Sequence, residues 1–408
     1  MEVDVRKLQN GITVIMENIE GVNTVSLGYF VKVGSKYEKP IEEGVSHFIE
    51  HMLFKGTTNR TSKDISEEID NEGGMINAYT TKETTVYYVQ LLADSLYKGI
   101  DILSDMFINS TFTEENLDKE RNVIIEEIRM YEDIPEEVAH EENAKFAING
   151  PQGKSILGTE MSLKNINRDI MVNYFDETYN PESIVISLAG KIDKEKAFEK
   201  LNNTIGNFKR NYSKREISRE FTLNSGENII KKEEANQVHL CFNTLGVSSK
   251  DKNRYSLSMI SNVLGGNMSS RLFQKVREEK GLAYSIYSYN SSGEEGGLFT
   301  IYAGTTKNDY KEVLNIIKKE IEDIKNNGIT EYELQKAKNQ FLSMITFGLE
   351  STKGRMNRIA SSYMMYGEVK PIEETIKEIE GVTIEDIKRT AEIVFDEKYF
   401  SQTIVGDI

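Results

Sequence analysis

The sequence predicts an α+β protein of two homologous domains, each a mainly antiparallel β-sheet packed with α-helices. Segments rich in β-branched and aromatic residues, typical of strands, alternate with segments of helical character. Two short motifs of the first half recur in the second half in the same order, which indicates a duplication. The length of 408 residues fits about two or three domains of ordinary size.

The first half is predicted to begin with a hairpin, in which Asn10-Gly11 forms a type I′ turn between residues 5–9 and 12–16. Two further strands are predicted over residues 24–33 and 83–91, where β-branched and aromatic residues are frequent. The segments between and after these strands are predicted to be helical, over residues 44–54, 62–72, 93–109 and 114–148.

The predicted duplication rests on two pairs of motifs. Phe112-Thr-Glu-Glu-Asn-Leu-Asp-Lys resembles Ile329-Thr-Glu-Tyr-Glu-Leu-Gln-Lys, and each copy follows an amphipathic helix and opens another one. Phe175-Asp-Glu-Thr-Tyr resembles Phe395-Asp-Glu-Lys-Tyr, and each copy precedes an apolar strand. Two matches at nearly the same separation are hard to obtain from composition alone, so a duplicated domain is the simplest explanation.

The boundary between the domains is predicted in the stretch 209–220, which is strongly charged and has little apolar content. The predicted domains are residues 1–210 and residues 221–408, joined by a linker over residues 211–220.

Composition restricts the partners and the compartment. The net charge of −16, from 50 basic and 66 acidic residues, argues against a nucleic-acid partner and favours basic or neutral ones. A single cysteine, Cys241, excludes an intramolecular disulfide and fits a reducing compartment. The first residues lack the features of a signal peptide, and no segment is apolar enough to cross a bilayer. We therefore expect a cytoplasmic protein with no membrane partner.

The predicted helix 44–54 carries His47, Glu50 and His51 in the segment Ser-His-Phe-Ile-Glu-His. Positions i and i+4 lie on one face of a helix, so both imidazoles can reach one ion, and zinc is the ion that such pairs commonly bind. Glu50 would then project beside the metal, where it could deprotonate a bound water. The alternative is a helix whose histidines fill a polar seam.

A catalytic zinc commonly takes three protein ligands, and the remaining histidines and Cys241 are not well placed, so the third ligand is predicted to be a carboxylate. Glu120 and Glu127 flank the apolar stripe of the helix that begins near residue 114, whereas Glu126 points to the opposite side. Buried carboxylates need a partner, so we predict Glu127 as a ligand and Glu120 as its support. The alternative is two partly exposed acids on a helix edge.

The order His-x-x-Glu-His is the inverse of the common zinc-peptidase motif and marks the inverzincins. Together with the glutamates at 120 and 127, it resembles the pitrilysin/insulinase family, to which the mitochondrial processing peptidases and their bacterial relatives belong. The resemblance implies that His47, His51 and Glu127 bind zinc, that Glu50 is the catalytic base, and that Glu120 is a supporting acid. The second half contains only His239 and no His pair, so one zinc ion per chain is expected.

Two further segments are similar to functional segments of that family. Residues 73–80, Gly-Gly-Met-Ile-Asn-Ala-Tyr-Thr, resemble the segment that leads into the substrate-binding edge strand, which implies substrate contacts at Asn77 and Ala78. Arg277 and Tyr284 resemble the family's Arg/Tyr pair, whose side chains can donate hydrogen bonds to a developing oxyanion. Taken alone, the first segment would be an ordinary turn and strand, and the second a pair of surface residues.

The resemblance implies a zinc-dependent metalloendopeptidase that hydrolyses peptides or unfolded segments inside a dimeric chamber, with Glu50 activating zinc-bound water. Both the zinc motif and the Arg/Tyr pair are present in one chain, so a homodimer is expected. The negative charge suggests a preference for basic peptides. The first alternative is a non-catalytic scaffold or peptide-binding subunit of the same fold. The second is a metal hydrolase that acts on a non-peptide substrate.

Overall fold

A computed structural model of the chain describes residues 3–210, 215, 218–233 and 235–408. The strands of these residues are β1 (Val3–Lys7), β2 (Thr13–Asn18), β3 (Thr24–Val31), β4 (Met75–Thr80), β5 (Thr85–Leu92), β6 (Ile148–Asn149), β7 (Ile184–Gly190), β8 (Thr222–Leu223), β9 (Gly226–Lys231), β10 (Val238–Gly246), β11 (Ala283–Ser292), β12 (Gly297–Thr305) and β13 (Ser401–Gly406). The α-helices are α1 (Val45–Leu53), α2 (Ser62–Asn71), α3 (Leu96–Asn109), α4 (Glu114–Glu132), α5 (Pro135–Ala147), α6 (Glu160–Asn165), α7 (Arg168–Thr178), α8 (Lys194–Asn203), α9 (Arg254–Gly265), α10 (Tyr310–Asn327), α11 (Glu331–Glu350), α12 (Thr352–Tyr366), α13 (Ile372–Glu380) and α14 (Ile384–Val394).

The predicted α+β class is confirmed, and the strands β3 and β5 and the helices α1 and α2 lie within two residues of their predicted bounds. The turn between β1 and β2 differs from the prediction. Gly11 has φ +96°, but Asn10 is not in the left-handed region that a type I′ turn requires. The hairpin instead has a three-residue loop, closed by hydrogen bonds from Gly11 N to Leu8 O (2.9 Å) and from Leu8 N to Ile12 O (2.9 Å).

The stretch predicted to be helical over residues 114–148 is helical apart from one short break. The segment forms two helices, α4 and α5, which are separated at Asp133 and Ile134. Ile134 has an extended backbone, with φ −101° and ψ 105°, because the ring of Pro135 disfavours the α conformation in the residue before it. Pro135 is itself the first residue of α5, a position where a missing N–H costs nothing.

Two sheets of the described residues share one strand order. The first has the order β1-β2-β7-β3-β5-β4 and the second has the order β11-β12-β10-β13-β9. The order β2-β7-β3-β5-β4 of the first sheet corresponds to the order β9-β13-β10-β12-β11 of the second sheet. β1 is an additional edge strand of the first sheet. In both sheets the first corresponding pair, β2 with β7 and β9 with β13, is parallel, and the remaining pairs are antiparallel. This agreement is what a duplication predicts.

The compact units of the fold are not contiguous in sequence. Unit 1 comprises residues 1–128, 155–218 and 345–371, and unit 2 comprises residues 129–154, 219–344 and 372–408. The contiguous division into 1–210 and 221–408 therefore does not describe these units. Of the predicted linker, residues 211–214, 216 and 217 lie outside the described residues.

The division into units follows from which helix packs on the second face of each sheet. In unit 1, Met356, Ile359 and Ala360 of α12 pack on β3 and β7, so that β7 is buried along its whole length. In unit 2, Ala139 of α5 packs against Cys241 and neighbouring strands. By sequence α5 belongs to the first repeat, but it packs on the second sheet. By sequence α12 belongs to the second repeat, but it packs on the first sheet. In the described part of the chain, no helix combines the length and the apolar character needed to span a membrane.

Candidate active site

Helix α1 of unit 1 is held rigidly at both its apolar face and its N-terminus. Its apolar residues are fully buried in the core: Val45, Phe48, Ile49, Met52 and Leu53. At its start, the carboxylate of Glu38 accepts hydrogen bonds from the backbone N–H groups of Gly44 (2.7 Å) and Ser46 (2.8 Å). Desolvation raises the pKa of Glu38 to about 7, although both hydrogen bonds oppose this change. The helix therefore presents its remaining face in a fixed orientation.

The polar face of α1 carries His47 and His51, and both rings point toward one carboxylate of α4. The ring centroids are 4.6 Å apart. Glu127 Oε2 lies 3.9 Å from His47 Nε2 and 3.7 Å from His51 Nε2. Among the described residues, these three form the one group whose ligand atoms are close enough together to hold a metal ion. The structure thus brings together the three predicted ligands.

The three ligand atoms fit a zinc ion. Two donors of a tetrahedral zinc, each about 2.0–2.2 Å from the metal, are about 3.4 Å apart. The observed separations of 3.7 and 3.9 Å exceed this by only a few tenths of an ångström, which small side-chain rotations can close. Two imidazoles and one carboxylate are also a donor set that zinc commonly takes in catalytic sites.

The environment of His47 keeps its imidazole neutral, the form that binds a metal. Burial, assisted by the neighbouring His51, lowers the pKa of His47 to about 3. Its Nδ1 atom is buried and has no hydrogen-bond partner among the described residues. A neutral imidazole can offer the lone pair of Nε2, the atom that faces Glu127, to a metal ion.

Glu120 supports the metal ligands from one side. It is only 5% exposed, and its carboxylate bonds to His51 Nδ1 (3.2 Å) and to Lys55 Nζ (2.8 Å). Burial alone would raise the pKa of Glu120, but the hydrogen bonds from His51 and Lys55 outweigh it, so the pKa lies below its ordinary value. Contact at Nδ1 directs Nε2 of His51 toward Glu127. Lys55 was not predicted, although it follows His51 by one helical turn.

Glu50 lies beside the predicted ligands without joining them. Its Oε2 accepts a hydrogen bond from the hydroxyl of Thr80, at 2.5 Å. Burial raises the pKa of Glu50, and the hydrogen bond from Thr80 partly opposes this. A carboxylate with a raised pKa next to a metal position suits a group that takes and returns a proton. The contact with Thr80 was not predicted, because no local pattern links the two positions.

Asn77 and Ala78 lie on β4, which is an edge strand of the first sheet as the resemblance implied. β4 pairs with β5 on one side only, with Asn77 opposite Tyr88 and Ala78 opposite Tyr87. The backbone N–H of Ala78 donates to the side-chain oxygen of Asn77, at 2.7 Å. The strand therefore has the open edge that pairing with an extended peptide requires, and contact with substrate stays a prediction.

Arg277 and Tyr284 belong to unit 2 and contact each other there. Arg277 lies in a short π-helix, Phe273–Glu278, and its guanidinium lies 4.9 Å from the ring centre of Tyr284. Tyr284 is 73% exposed and lies where the register of β11 with β12 shifts. π-helices and strand irregularities are frequent at functional sites, but the role of this pair also stays a prediction.

Comparison with known proteins covers nearly the whole chain. The family model described as insulinase (peptidase family M16) matches residues 13–160, and the one described as the peptidase M16 inactive domain matches residues 165–341. A relative from Bacillus subtilis (strain 168), named uncharacterized zinc protease YmxG, is 39% identical over 393 residues, which are 96% of this chain and 95% of the relative. The chain belongs to the pitrilysin/insulinase family, M16. The resemblance expected from the sequence is thereby confirmed.

Other M16 relatives extend the comparison. An uncharacterized zinc protease from Rickettsia bellii (strain RML369-C) is 36% identical over 412 residues, covering 98% of this chain and 97% of the relative. The crystal structure of a protease from Helicobacter pylori matches with a TM-score of 0.92 at 20% identity, covering 99% of each chain, and so shows the same fold. The model described as inactive spans the end of the first predicted domain and much of the second, a range that contains His239 and no His pair.

Proposed function

We propose that this M16 chain is a zinc-dependent endopeptidase that hydrolyses peptides or unfolded segments of proteins. The observation that carries the proposal is the convergence of His47, His51 and Glu127 with Glu50 lying beside them. Three of these four side chains come from α1 and one comes from α4, which is far away in sequence, so the cluster is not a consequence of helical spacing alone. The names of the relatives, zinc proteases, support the same chemistry.

His47, His51 and Glu127 would hold the zinc ion through two Nε2 atoms and one carboxylate oxygen. When bound, zinc polarises the scissile carbonyl and makes a water molecule easier to deprotonate. Glu50 accepts the proton of the attacking water on its carboxylate. When the C–N bond breaks, Glu50 returns that proton to the leaving amine, so that the base is regenerated in each turnover.

The negative charge that forms on the carbonyl oxygen needs donors, and Arg277 and Tyr284 are proposed to supply them. A guanidinium N–H and a phenol O–H both donate to an oxyanion. The stacking of Arg277 on Tyr284 supports a joint role, because it fixes the two donors relative to each other. Both residues belong to unit 2.

The substrate is proposed to be an extended polypeptide that pairs with the open edge of β4 at Asn77 and Ala78. Pairing through the backbone holds a peptide with little preference for its side chains. The charge of −16 supports a preference for peptides with basic residues. Equal turnover of acidic and basic peptides at all salt concentrations would contradict this preference.

Two copies of the chain are proposed to form a homodimer that encloses a chamber for the substrate. The presence of the zinc motif and the Arg/Tyr pair in one chain supports identical subunits. Sedimentation coupled to an activity assay tests the assembly, and a fully active monomer would overturn it.

The activity is tested with quenched fluorescent peptides of several lengths and charges, using the zinc-loaded full-length chain and Glu50→Gln. We expect the wild type to cleave and Glu50→Gln to lose about 100- to 10,000-fold in rate, since this is the usual contribution of a positioned acid or base. Zinc content of both proteins is measured by atomic absorption and should be equal. If both hold zinc and neither cleaves any peptide, the proposed activity fails, and the alternative of a non-catalytic scaffold or peptide-binding subunit of the same fold is favoured.

A further inference from the structure

Thr80 is the last residue of β4 and faces the same side of the sheet as α1. Side chains alternate along the strand, and Ile76 and Ala78 pack partly buried against the core that contains α1. Thr80 follows Ala78 by two positions, so it lies on this face. Its hydroxyl donates to Glu50 Oε2 at 2.5 Å. The edge strand thus ends in direct contact with the proposed base.

The backbone around Thr80 is fixed by the turn that connects β4 and β5. Thr81 N donates to Thr84 O (2.8 Å), and the hydroxyl of Thr81 accepts hydrogen bonds from the N–H groups of Glu83 (3.2 Å) and Thr84 (2.9 Å). Thr85, which pairs with Thr80, is buried, and its hydroxyl donates to Val33 O at 3.0 Å. The hydroxyl of Thr80 is therefore presented by a rigid support.

Glu50 depends on this hydroxyl for its orientation. Among the described residues, the bond from Thr80 to Oε2 is the one hydrogen bond of the Glu50 carboxylate. The carboxylate of Glu127 lies nearby and repels Glu50. A carboxylate beside a like charge needs a fixed donor to remain in one rotamer. With Oε2 held by Thr80, Oε1 is the oxygen left to take a proton.

We propose that Thr80 is a positioning residue, whose hydroxyl holds Oε2 of Glu50 so that Oε1 serves as the base. This inference rests on the proposed endopeptidase function. It also joins the base to the strand on which the peptide would pair, so that one rigid element aligns both the substrate and the group that activates water.

The test compares wild type, Thr80→Val and Thr80→Ser as zinc-loaded full-length protein. Valine has the shape of threonine without the hydroxyl, and serine restores the hydroxyl. Thr24→Val is the matched control, because Thr24 is the exposed first residue of β3, a strand of the same sheet whose other residues are buried. We expect kcat of Thr80→Val to fall on the order of 10- to 100-fold, with KM and zinc content within about twofold of wild type. Thr80→Ser should recover most of kcat, and Thr24→Val should be unchanged.

A crystal structure of each variant gives a readout that does not depend on turnover. We expect the Glu50 carboxylate to leave its wild-type position in Thr80→Val and to keep it in Thr80→Ser. Wild-type kcat in Thr80→Val, an unmoved Glu50, or loss of zinc together with activity would overturn the proposal. If the wild type cleaves no peptide, the proposed function fails, whereas the position of Glu50 in the variants still decides whether Thr80 orients it.

Discussion

The two repeats of this chain share a strand order and differ in the chemistry placed on it. In the first repeat, α1 follows β3 and carries His47, Glu50 and His51; in the second, α9 follows β10 and its sequence, RYSLSMISNVLG, contains no His, Asp or Glu. Counted from the matching Phe112 and Ile329, the places of Glu120 and Glu127 are taken by Ala337 and Met344. The same scaffold therefore persists without the site, so the site depends on a few side chains and not on the fold.

The histidines of unit 1 and unit 2 can also be compared. His47 and His51 face the carboxylate of Glu127. In unit 2, His140 contacts the hydroxyls of Tyr287 (2.9 Å) and Tyr289 (2.8 Å), and His239 contacts the hydroxyl of Tyr302 at 2.8 Å. A ring nitrogen that is bonded to a tyrosine hydroxyl is not free for a metal. Burial alone therefore does not make a histidine a metal ligand. The group that its ring nitrogens face determines whether it can bind a metal.

The largest difference between the repeats should appear when a metal ligand is removed. Structural zinc sites with four ligands have apparent binding free energies of about 10–16 kcal/mol, which correspond to roughly 60- to 900-fold in Kd for each ligand. We expect His51→Ala and Glu127→Gln to weaken zinc binding on the order of 100- to 1,000-fold. His239→Ala and Glu126→Gln are the matched controls and should bind as wild type does. Calorimetric zinc titration measures all four; equal weakening in the controls would mean that the losses report damage to the fold.

Removal of an oxyanion donor tests whether the second repeat contributes to catalysis. Tyr284→Phe keeps the ring that stacks on Arg277 and removes only the hydroxyl. We expect kcat to fall about 100-fold, with unchanged zinc content, because removal of a single oxyanion donor commonly lowers kcat by about this factor. Steady-state kinetics measures the change. A variant with wild-type kcat would leave the exposed pair as a surface feature of unit 2.

Loss of the supporting carboxylate should have a smaller effect than loss of a ligand. Glu120→Gln keeps the shape of the side chain and removes the charge that faces His51 and Lys55. We expect about 10- to 100-fold weaker zinc binding, the usual cost of changing a group that orients a ligand. The buried Glu320 of unit 2 provides the comparison, and Glu320→Gln should leave zinc binding unchanged. Zinc titration distinguishes the two results.

The smallest predicted difference concerns stability as a function of pH. Glu38 in unit 1 has a pKa raised from 4.5 to about 7, so between these pH values the folded chain holds a proton that the unfolded chain has lost. The contribution of Glu38 to the free energy of unfolding therefore declines as pH rises from 4.5 to 7. In unit 2, burial lowers the pKa of His140 below 6.5, so the unfolded chain binds more protons, and stability is lost as pH falls through 6.5.

Urea midpoints at pH 5 and pH 7 test these opposite signs. For each variant we compare the free energy of unfolding, variant minus wild type, at the two pH values. This difference should be more positive at pH 7 than at pH 5 for Glu38→Gln. It should be more negative at pH 7 than at pH 5 for His140→Gln. Both groups are partly exposed, so we expect shifts of about 1 kcal/mol in the free energy of unfolding. Shifts of the same sign in both variants would contradict the assignment.

Features set by short-range sequence were predictable, and contacts between distant segments were less so. The strands β3 and β5 and helix α1 follow from local composition and periodicity, and the pair His47 and His51 follows from helical spacing. Glu127 was predicted because one face of α4 is apolar and a carboxylate at its edge needs a partner. The break before Pro135 was also readable from the sequence, since a proline disfavours the helical conformation in the residue before it, but the prediction of helical structure over residues 114–148 did not place this break.

The remaining features depend on which segments meet in three dimensions. The contact of Thr80 with Glu50, and that of Glu38 with the start of α1, involve positions without a common periodicity. The placement of α5 and α12 is similar, because each packs on the sheet of the other repeat, which only the three-dimensional fold determines. A single sequence contains no signal for this selection.

Anomalous diffraction at the zinc absorption edge, from crystals of the zinc-loaded chain, tests the central claim most directly. We expect one strong peak per chain, about 2.0–2.2 Å from His47 Nε2, His51 Nε2 and a carboxylate oxygen of Glu127. A peak bound by other residues, or a metal position to which Glu127 does not contribute, would contradict the proposed site and the hydrolysis built on it.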